Sequence, residues 1–266
     1  MGAVHVFQNS NRTEPMCSKF QPNRNRHHLD KCRFEPLGSV RISQEEINRW
    51  NVELHDQSPS EIIRWALSQF GSDEAIVSTS FGPYASVLLR LVTEIDPLIS
   101  ILWVDHGYNR PATYKYAEKL QNLLDLKLHV YSPRLTAARR DALFGPLPIA
   151  RDNEGALRQF SIAMKLEPFT RAMEDLKPRI WIAGLRQEQN TNRQSLDIVS
   201  YDSTFQVLKI NPLFYWTDVR MKEYLLQNNL PNELDYFDPA KGDEKRECGL
   251  HASWARNAVN KQKTNK

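Results

Sequence analysis

Seven consecutive residues, Lys245, Arg246, Glu247, Cys248, Gly249, Leu250 and His251, set a lone cysteine among two cations, a carboxylate and a histidine. An unperturbed thiol titrates near ~8.5 and nearby positive charge lowers that value, so these neighbours give Cys248 the chemistry of a thiolate nucleophile at neutral pH. Lys245, Arg246 and His251 favour the thiolate and Glu247 moderates their field, while Gly249 permits a sharp turn and leaves room beside the sulfur for a bulky electrophile. The bland alternative is a charged, solvated tail with an incidental cysteine.

Other loops carry residues suited to holding an anion. Ser78, Thr79, Ser80, Phe81 and Gly82 precede a helical stretch, where hydroxyls, backbone amides and the helix dipole can meet negative charge. A plain strand-to-helix turn reads equally well there. Asp105, His106, Gly107 and Tyr108 follow an apolar run, and Asp105 with Gly107 can approach a purine or ribose, or serve as a cap with a turn glycine. Gly184 to Arg193 offers Arg186 and Arg193, whose guanidinium forks suit phosphate, with Gln189 between them; a surface loop with incidental arginines is the alternative.

The elements expected to position these loops alternate. Strand-like runs at Ala75 to Thr79, Ile99 to Asp105, Leu126 to Tyr131, Ile180 to Gly184 and Phe205 to Ile210 are mostly separated by helical patterns, such as Tyr84, Val87, Leu88, Leu91 and Val92. Such alternation predicts an α/β fold with a mostly parallel twisted sheet and helices on both faces, and ligands beyond the carboxyl ends of its strands. Ser58, Pro59 and Glu61 predict a capped helix start. Three parts are expected: an irregular or mobile N-terminal arm over 1–42, an α/β domain over 43–230, and a mobile C-terminal tail over 231–266 carrying the cysteine.

At 266 residues, 41% hydrophobic, 25% charged and with a net charge of +3, the composition is that of a globular protein and gives no ground for a general nucleic-acid or membrane role. No apolar run approaches the ~20 residues of a membrane span and no h-region is seen, so a cytoplasmic location is expected. The cysteines, Cys17, Cys32 and Cys248, are too few for an all-cysteine iron-sulfur site. Cys17, His27, His28 and Cys32 supply zinc-type ligands at a spacing that matches no familiar finger, so no metal is expected.

The Cys248 segment resembles the C-terminal signature of the thioredoxin-dependent sulfonucleotide reductases, the family of phosphoadenosine phosphosulfate (PAPS) reductase. The loop at Ser78 resembles their modified PP-loop, Ser-x-Ser-Phe-Gly, at Ser78, Ser80, Phe81 and Gly82, and lacks the aspartate of ATP pyrophosphatases of the same superfamily. Arg186, Gln189 and Arg193 match Gly-Leu-Arg-x-x-Gln-x-x-x-Arg, and Lys165 to Ala172 is similar to Lys-x-Glu-Pro-x-x-Arg-Ala. Departures are His106 and Ala112, where the family usually has threonine and glutamate, and a shortened linker before Lys241 without Gly-Tyr-x-Ser-x-Gly-Asp.

The resemblance implies an adenine nucleotide alpha hydrolase-like fold and reduction of PAPS to sulfite and adenosine 3',5'-bisphosphate through a cysteine S-sulfonate. Electrons would come from reduced thioredoxin or glutaredoxin, with no bound cofactor and no iron-sulfur cluster, in a homodimer. Its catalytic residues would be Cys248, Glu247, His251, Arg246 and Lys245. Its substrate contacts would be Ser78, Ser80, Phe81, Gly82, Asp105, Gly107, Lys165, Arg186, Gln189 and Arg193, with Lys165, Arg134 or Arg110 as readers of the 3'-phosphate. A cluster-free adenosine phosphosulfate (APS) reductase is the nearest alternative. An ATP-using PP-loop enzyme and a regulatory nucleotide-binding protein are the others.

Overall fold

The computed structural model describes residues 42–148, 153–189 and 191–240. The expected N-terminal arm up to residue 41, its Cys17, His27, His28 and Cys32, and the Lys245 to His251 segment lie outside the described residues.

Helices α1 (Gln44–Leu54) and α2 (Pro59–Phe70) come first, each entered through a reciprocal capping box. At the second, the Ser58 amide donates to Glu61 Oε2 at 2.8 Å and the Glu61 amide to Ser58 Oγ at 3.3 Å. After them run β1 (Ala75–Thr79), α3 (Ala85–Ile95), β2 (Ser100–Val104), α4 (Pro111–Leu124), β3 (Leu128–Tyr131) and α5 (Ala137–Phe144). The second half contains α6 (Glu154–Ser161), a π-helical turn (Ile162–Leu166), α7 (Glu167–Leu176), β4 (Ile180–Ala183), β5 (Val199–Asp202), β6 (Val207–Ile210) and α8 (Asp218–Gln227).

The strands form one six-stranded sheet in the order β3-β2-β1-β4-β6-β5, parallel except for the β5-β6 pair. Period-2 alternation divides its side chains between two cores. Val77, Ile101, Ile182 and Ile210 pack with Ile47, Ile63, Leu89, Leu120 and Met221 on one side. Ile76, Leu102, Trp181 and Val207 pack with Phe169 and Ala172 of α7 on the other. Helices therefore cover both faces, and near-continuous apolar strands are what a doubly covered sheet requires. The chain runs outward from β1 through β2 to β3, then restarts on β1's other side with β4. A crevice opens at the carboxyl ends of strands where the order reverses in this way.

The alternation predicted five of the six strands. β5 escaped because it is a four-residue edge strand with only Val199 buried, so it shows no apolar run and its alternation, Val199 and Tyr201 against Ser200 and Asp202, is too short to stand out. Its first residue is held from α1, where Asn51 Nδ2 donates to the Val199 carbonyl at 2.9 Å and the Val199 amide donates to Asn51 Oδ1 at 2.7 Å. One amide side chain thus pairs the backbone as a neighbouring strand would.

Candidate active site

At the switch point lies a cavity of about 870 Å³, bounded by the carboxyl ends of β1, β2 and β4. That volume falls within the range of nucleotide-sized sites. Of the expected substrate contacts, Ser78, Ser80, Gly82, Lys165, Arg186, Gln189 and Arg193 all line it. Arg110, Tyr236 and Asp238 line it as well.

The β1-α3 loop is shaped by two residues in the left-handed region, Phe81 at φ 50° and Tyr84 at φ 65°. Such φ values cost roughly 1–2 kcal/mol each without glycine and persist where surrounding contacts over-determine them, as at binding sites. The Phe81 amide donates to Thr79 Oγ1 at 3.1 Å, and the Phe81 ring turns into the core, edge-on to Trp103 with ring centroids 5.0 Å apart. Phe81 is therefore no side-chain contact of the cavity; it anchors the loop while Ser78, Ser80 and Gly82 face inward. Gly82 permits a close approach, because a Cβ there would stand 3.3 Å from the Tyr236 ring, which would have to give by a few tenths of an ångström.

Asp105 and Gly107 also stand outside the cavity lining. Asp105 Oδ1 accepts from the Gly107 amide at 3.0 Å, Asn109 Nδ2 at 3.1 Å and the Tyr114 hydroxyl at 2.8 Å. Gly107, at φ 77°, supplies the turn. Oδ1 is thus occupied by the β2-α4 loop and by Tyr114 of α4, so Asp105 serves the turn here and does not cap α4, whose N-cap Arg110 has no side-chain cap bond.

On the other wall, the Arg186 guanidinium donates to Asp218 Oδ1 at 2.6 Å and to the Trp216 carbonyl at 3.1 Å, and lies 5.3 Å from the centre of the Tyr84 ring. Gln189 Oε1 accepts from the Arg186 amide at 3.2 Å and also from Arg193 Nη1. Two arginines from one β4-following loop are thus aimed by side chains of that loop and of α8, which is pre-organisation for an anion with several oxygens.

A family model described as the phosphoadenosine phosphosulfate reductase domain matches residues 74–236, from just before β1 to the cavity's Tyr236. The chain belongs to that family. It is 38% identical to the phosphoadenosine 5'-phosphosulfate reductase of Synechocystis sp. over 75% of this chain and 88% of that one. To the enzyme of the same name from a Synechococcus sp. it is 32% identical over 76% of this chain and 95% of the other. The crystal structure of PAPS reductase from Candida auris, a phosphate complex, superposes with a TM-score of 0.63 at 26% identity, covering 73% of this chain and 91% of that chain.

Within this PAPS reductase family fold, residues 231–240, expected as the start of the tail, are strapped across the cavity. The Ser86 and Tyr116 hydroxyls donate to the Pro231 carbonyl at 2.7 and 3.1 Å, and the Tyr84 amide donates to Asn232 Oδ1 at 2.8 Å. Asp235 takes the Arg110 guanidinium, which also lies 5.7 Å from the centre of the Phe237 ring. Asp238 Oδ2 meets Lys165 Nζ at 2.6 Å, with the two side chains only 5% and 7% exposed. Two strap carboxylates thus stand on two of the cavity's cations. Sequence reasoning had assigned Asp235 and Asp238 no role, and these pairings span 125 and 73 positions, beyond any local pattern.

Lys165 sits in the π-helical turn between α6 and α7, a backbone irregularity common at functional sites. Burial holds the nearby His106 imidazole down to about 4, helped by the Lys165 charge and opposed by Asp238 and Asp105. His106 Nδ1 accepts from the Tyr108 amide at 3.1 Å, a role open to the neutral ring. Between pH 6.5 and about 4 the unfolded chain binds a proton that the folded protein refuses, so stability falls as pH drops through that window. The loss reaches at most roughly 1.4 kcal/mol per pH unit. In His106→Asn, which keeps an acceptor for the Tyr108 amide, urea unfolding at a series of pH values is expected to give a flatter slope between pH 6 and 4.5 than the parent; an unchanged slope would place the proton uptake elsewhere.

No helix among the described residues is long and apolar enough to cross a membrane, and no group of three or more His, Cys, Asp or Glu among them could hold a metal ion.

Proposed function

We propose that this protein reduces PAPS to sulfite and adenosine 3',5'-bisphosphate through an S-sulfonate on Cys248 that reduced thioredoxin, or glutaredoxin, resolves. The observation carrying this reading is the convergence, in one cavity at the sheet's switch point, of Ser78, Ser80 and Gly82 with Lys165, Arg186 and Arg193. Short hydroxyl donors on one wall and fixed guanidinium groups on the other suit a phosphosulfate, whose charge is spread over many oxygens.

In the proposed reaction the Cys248 thiolate attacks the sulfuryl sulfur. The S-O bond breaks and its electron pair leaves on the nucleotide's 5'-phosphate, which gains negative charge and is stabilised by the arginines. A thioredoxin thiolate then attacks Cys248 Sγ, sulfite departs with the S-S pair, and the second thioredoxin thiol closes its disulfide to free Cys248. The tail must close for the first step and open for the second. Lys245, Arg246 and His251 support the thiolate, with Glu247 moderating their field. The proposal includes no resident cofactor or iron-sulfur cluster, a homodimeric assembly and a cytoplasmic setting.

For the 3'-phosphate, Arg110 and Lys165 line the cavity, whereas Arg134 is 72% exposed and outside the lining. Arg110 and Lys165 are thus the readers that the geometry favours. Sulfite release measured side by side from PAPS and APS with reduced thioredoxin is expected to favour PAPS. A preference for APS would overturn the substrate assignment, and pyrophosphate release from ATP would overturn the reaction class.

A further inference from the structure

The geometry points to Trp181 as a positioning residue that biases which way the Ser78 hydroxyl donates. This deepens, and rests on, the reading of the cavity as a sulfonucleotide site. Trp181 stands in β4 opposite Ile76, and Ser78 lies two residues further along β1 on the same face. That diagonal is within reach of a large aromatic side chain. The indole Nε1 donates to Ser78 Oγ at 2.7 Å.

An indole N-H only donates, whereas a serine hydroxyl donates one proton and accepts on its lone pairs. With the indole bond made, the hydroxyl's accepting side faces Trp181, and its own proton has to leave in another direction. Among the described residues the indole is the one hydrogen-bond partner of the Ser78 hydroxyl. Two staggered positions remain for the proton, and Ser78 lines the cavity, so one of them is towards whatever anion sits there. A hydroxyl free to rotate would spend part of its time with a lone pair turned to that anion, which is repulsive. By holding one lone pair, the indole closes one of the proton's three positions before the ligand arrives and so raises the share of time the proton faces the anion.

The indole is itself immobilised. Trp181 is fully buried, with its ring centroid 4.9 Å from Phe169 and 6.1 Å from Phe205. Lys209 Nζ stands 4.2 Å from the ring centre. A cation over the ring draws π density towards it, which makes the N-H a stronger donor. Lys209, Trp181, Ser78 and the ligand anion therefore form one chain of polarised contacts, running from the sheet's interior to the cavity.

A double-mutant cycle tests this, read as calorimetric affinity for adenosine 3',5'-bisphosphate and, separately, for pyrophosphate. Trp181→Phe keeps an aromatic ring in the core and removes the N-H. It is expected to weaken binding roughly tenfold, and Ser78→Ala to weaken it roughly ten- to hundredfold, as loss of a hydrogen bond to a charged group does. In the Ser78→Ala background, Trp181→Phe is expected to change affinity less than about twofold. Ser78→Thr, which keeps a hydroxyl, should restore sensitivity to Trp181→Phe.

Equal losses in both backgrounds would show that Trp181 acts only through packing and would overturn the proposal. So would no loss in either. A parent that binds pyrophosphate but not the nucleotide defeats the sulfonucleotide reading while the pyrophosphate cycle still decides the role of Trp181. A parent that binds neither defeats both.

Discussion

Cys248→Ser is expected to release no measurable sulfite from PAPS, a loss of roughly 10⁴-fold or more, while binding adenosine 3',5'-bisphosphate within about threefold of the parent. The two halves of that result have separate causes. A serine hydroxyl has no thiolate-like ionised form near neutral pH, and it cannot form the sulfur-sulfur bond that a thioredoxin thiol later attacks. Nucleotide affinity, by contrast, is assigned to Ser78, Ser80, Arg186 and Arg193, all of them on β1, β4 and the loops that follow. Intact-mass measurement separates the steps: the parent mixed with PAPS should gain the mass of one SO₃ and lose it when reduced thioredoxin is added, and the serine variant should gain nothing. Turnover surviving in the variant, or an adduct mapping to another residue, would refute the nucleophile.

Much of the fold was legible because a doubly covered parallel sheet writes itself as apolar runs, and the runs at Val77, Ile101, Ile182 and Ile210 are fully buried. The candidate site was legible where the loop chemistry is short-range. Ser78 stands at the end of one strand with Ser80 and Gly82 after it, Arg186, Gln189 and Arg193 follow another, and the switch point brings these two segments together.

Side-chain direction was harder to read beyond the strand ends, where the two-residue period no longer applies. Phe81 belongs to the loop pattern, yet its left-handed backbone sends the ring into the core against Trp103. Asp105 has the chemistry to hold a ribose, but the Gly107 amide, Asn109 and Tyr114 converge on the same oxygen. Trp181 reads as one more apolar residue of a buried strand, and only the diagonal register to Ser78 gives its N-H a purpose. The strap pairs Arg110-Asp235 and Lys165-Asp238 are set by tertiary closure alone.

The second of those pairs carries the largest expected effect on stability. Burial by itself would raise the Asp238 carboxyl, but the Lys165 charge and hydrogen bond outweigh it, with further help from the Ala240 amide, and hold it below the usual carboxylate range. In the parent, the pair's contribution is therefore present above the ordinary carboxylate pKa and is lost as pH falls through the depressed one. Lys165→Met keeps a long, unbranched side chain but removes the ammonium, so a carboxylate that is 5% exposed loses its counter-ion at 2.6 Å. Breaking one side of a buried pair costs about 3–5 kcal/mol, which urea unfolding at pH 7 should register as a lower midpoint.

The sign of the pH dependence then reverses for this group. Without Lys165, the desolvation that opposes the charge dominates, and the carboxylate takes up a proton itself or shares one with His106, whose imidazole is no longer repelled by the ammonium. The gap between parent and variant is expected to narrow as pH falls from 7 to 5, and the His106 ring resonances should titrate at higher pH than in the parent. Lys165→Met combined with Asp238→Leu, which removes both charges, should recover most of the lost stability while binding PAPS more weakly, because an apolar pair can replace a buried ionic one in the fold but cannot hold a phosphate. If Lys165→Met proved as stable as the parent at pH 7, the strap would not be held by this pair. If the double variant stayed as unstable as the single one, packing and not charge would be what Lys165 supplies.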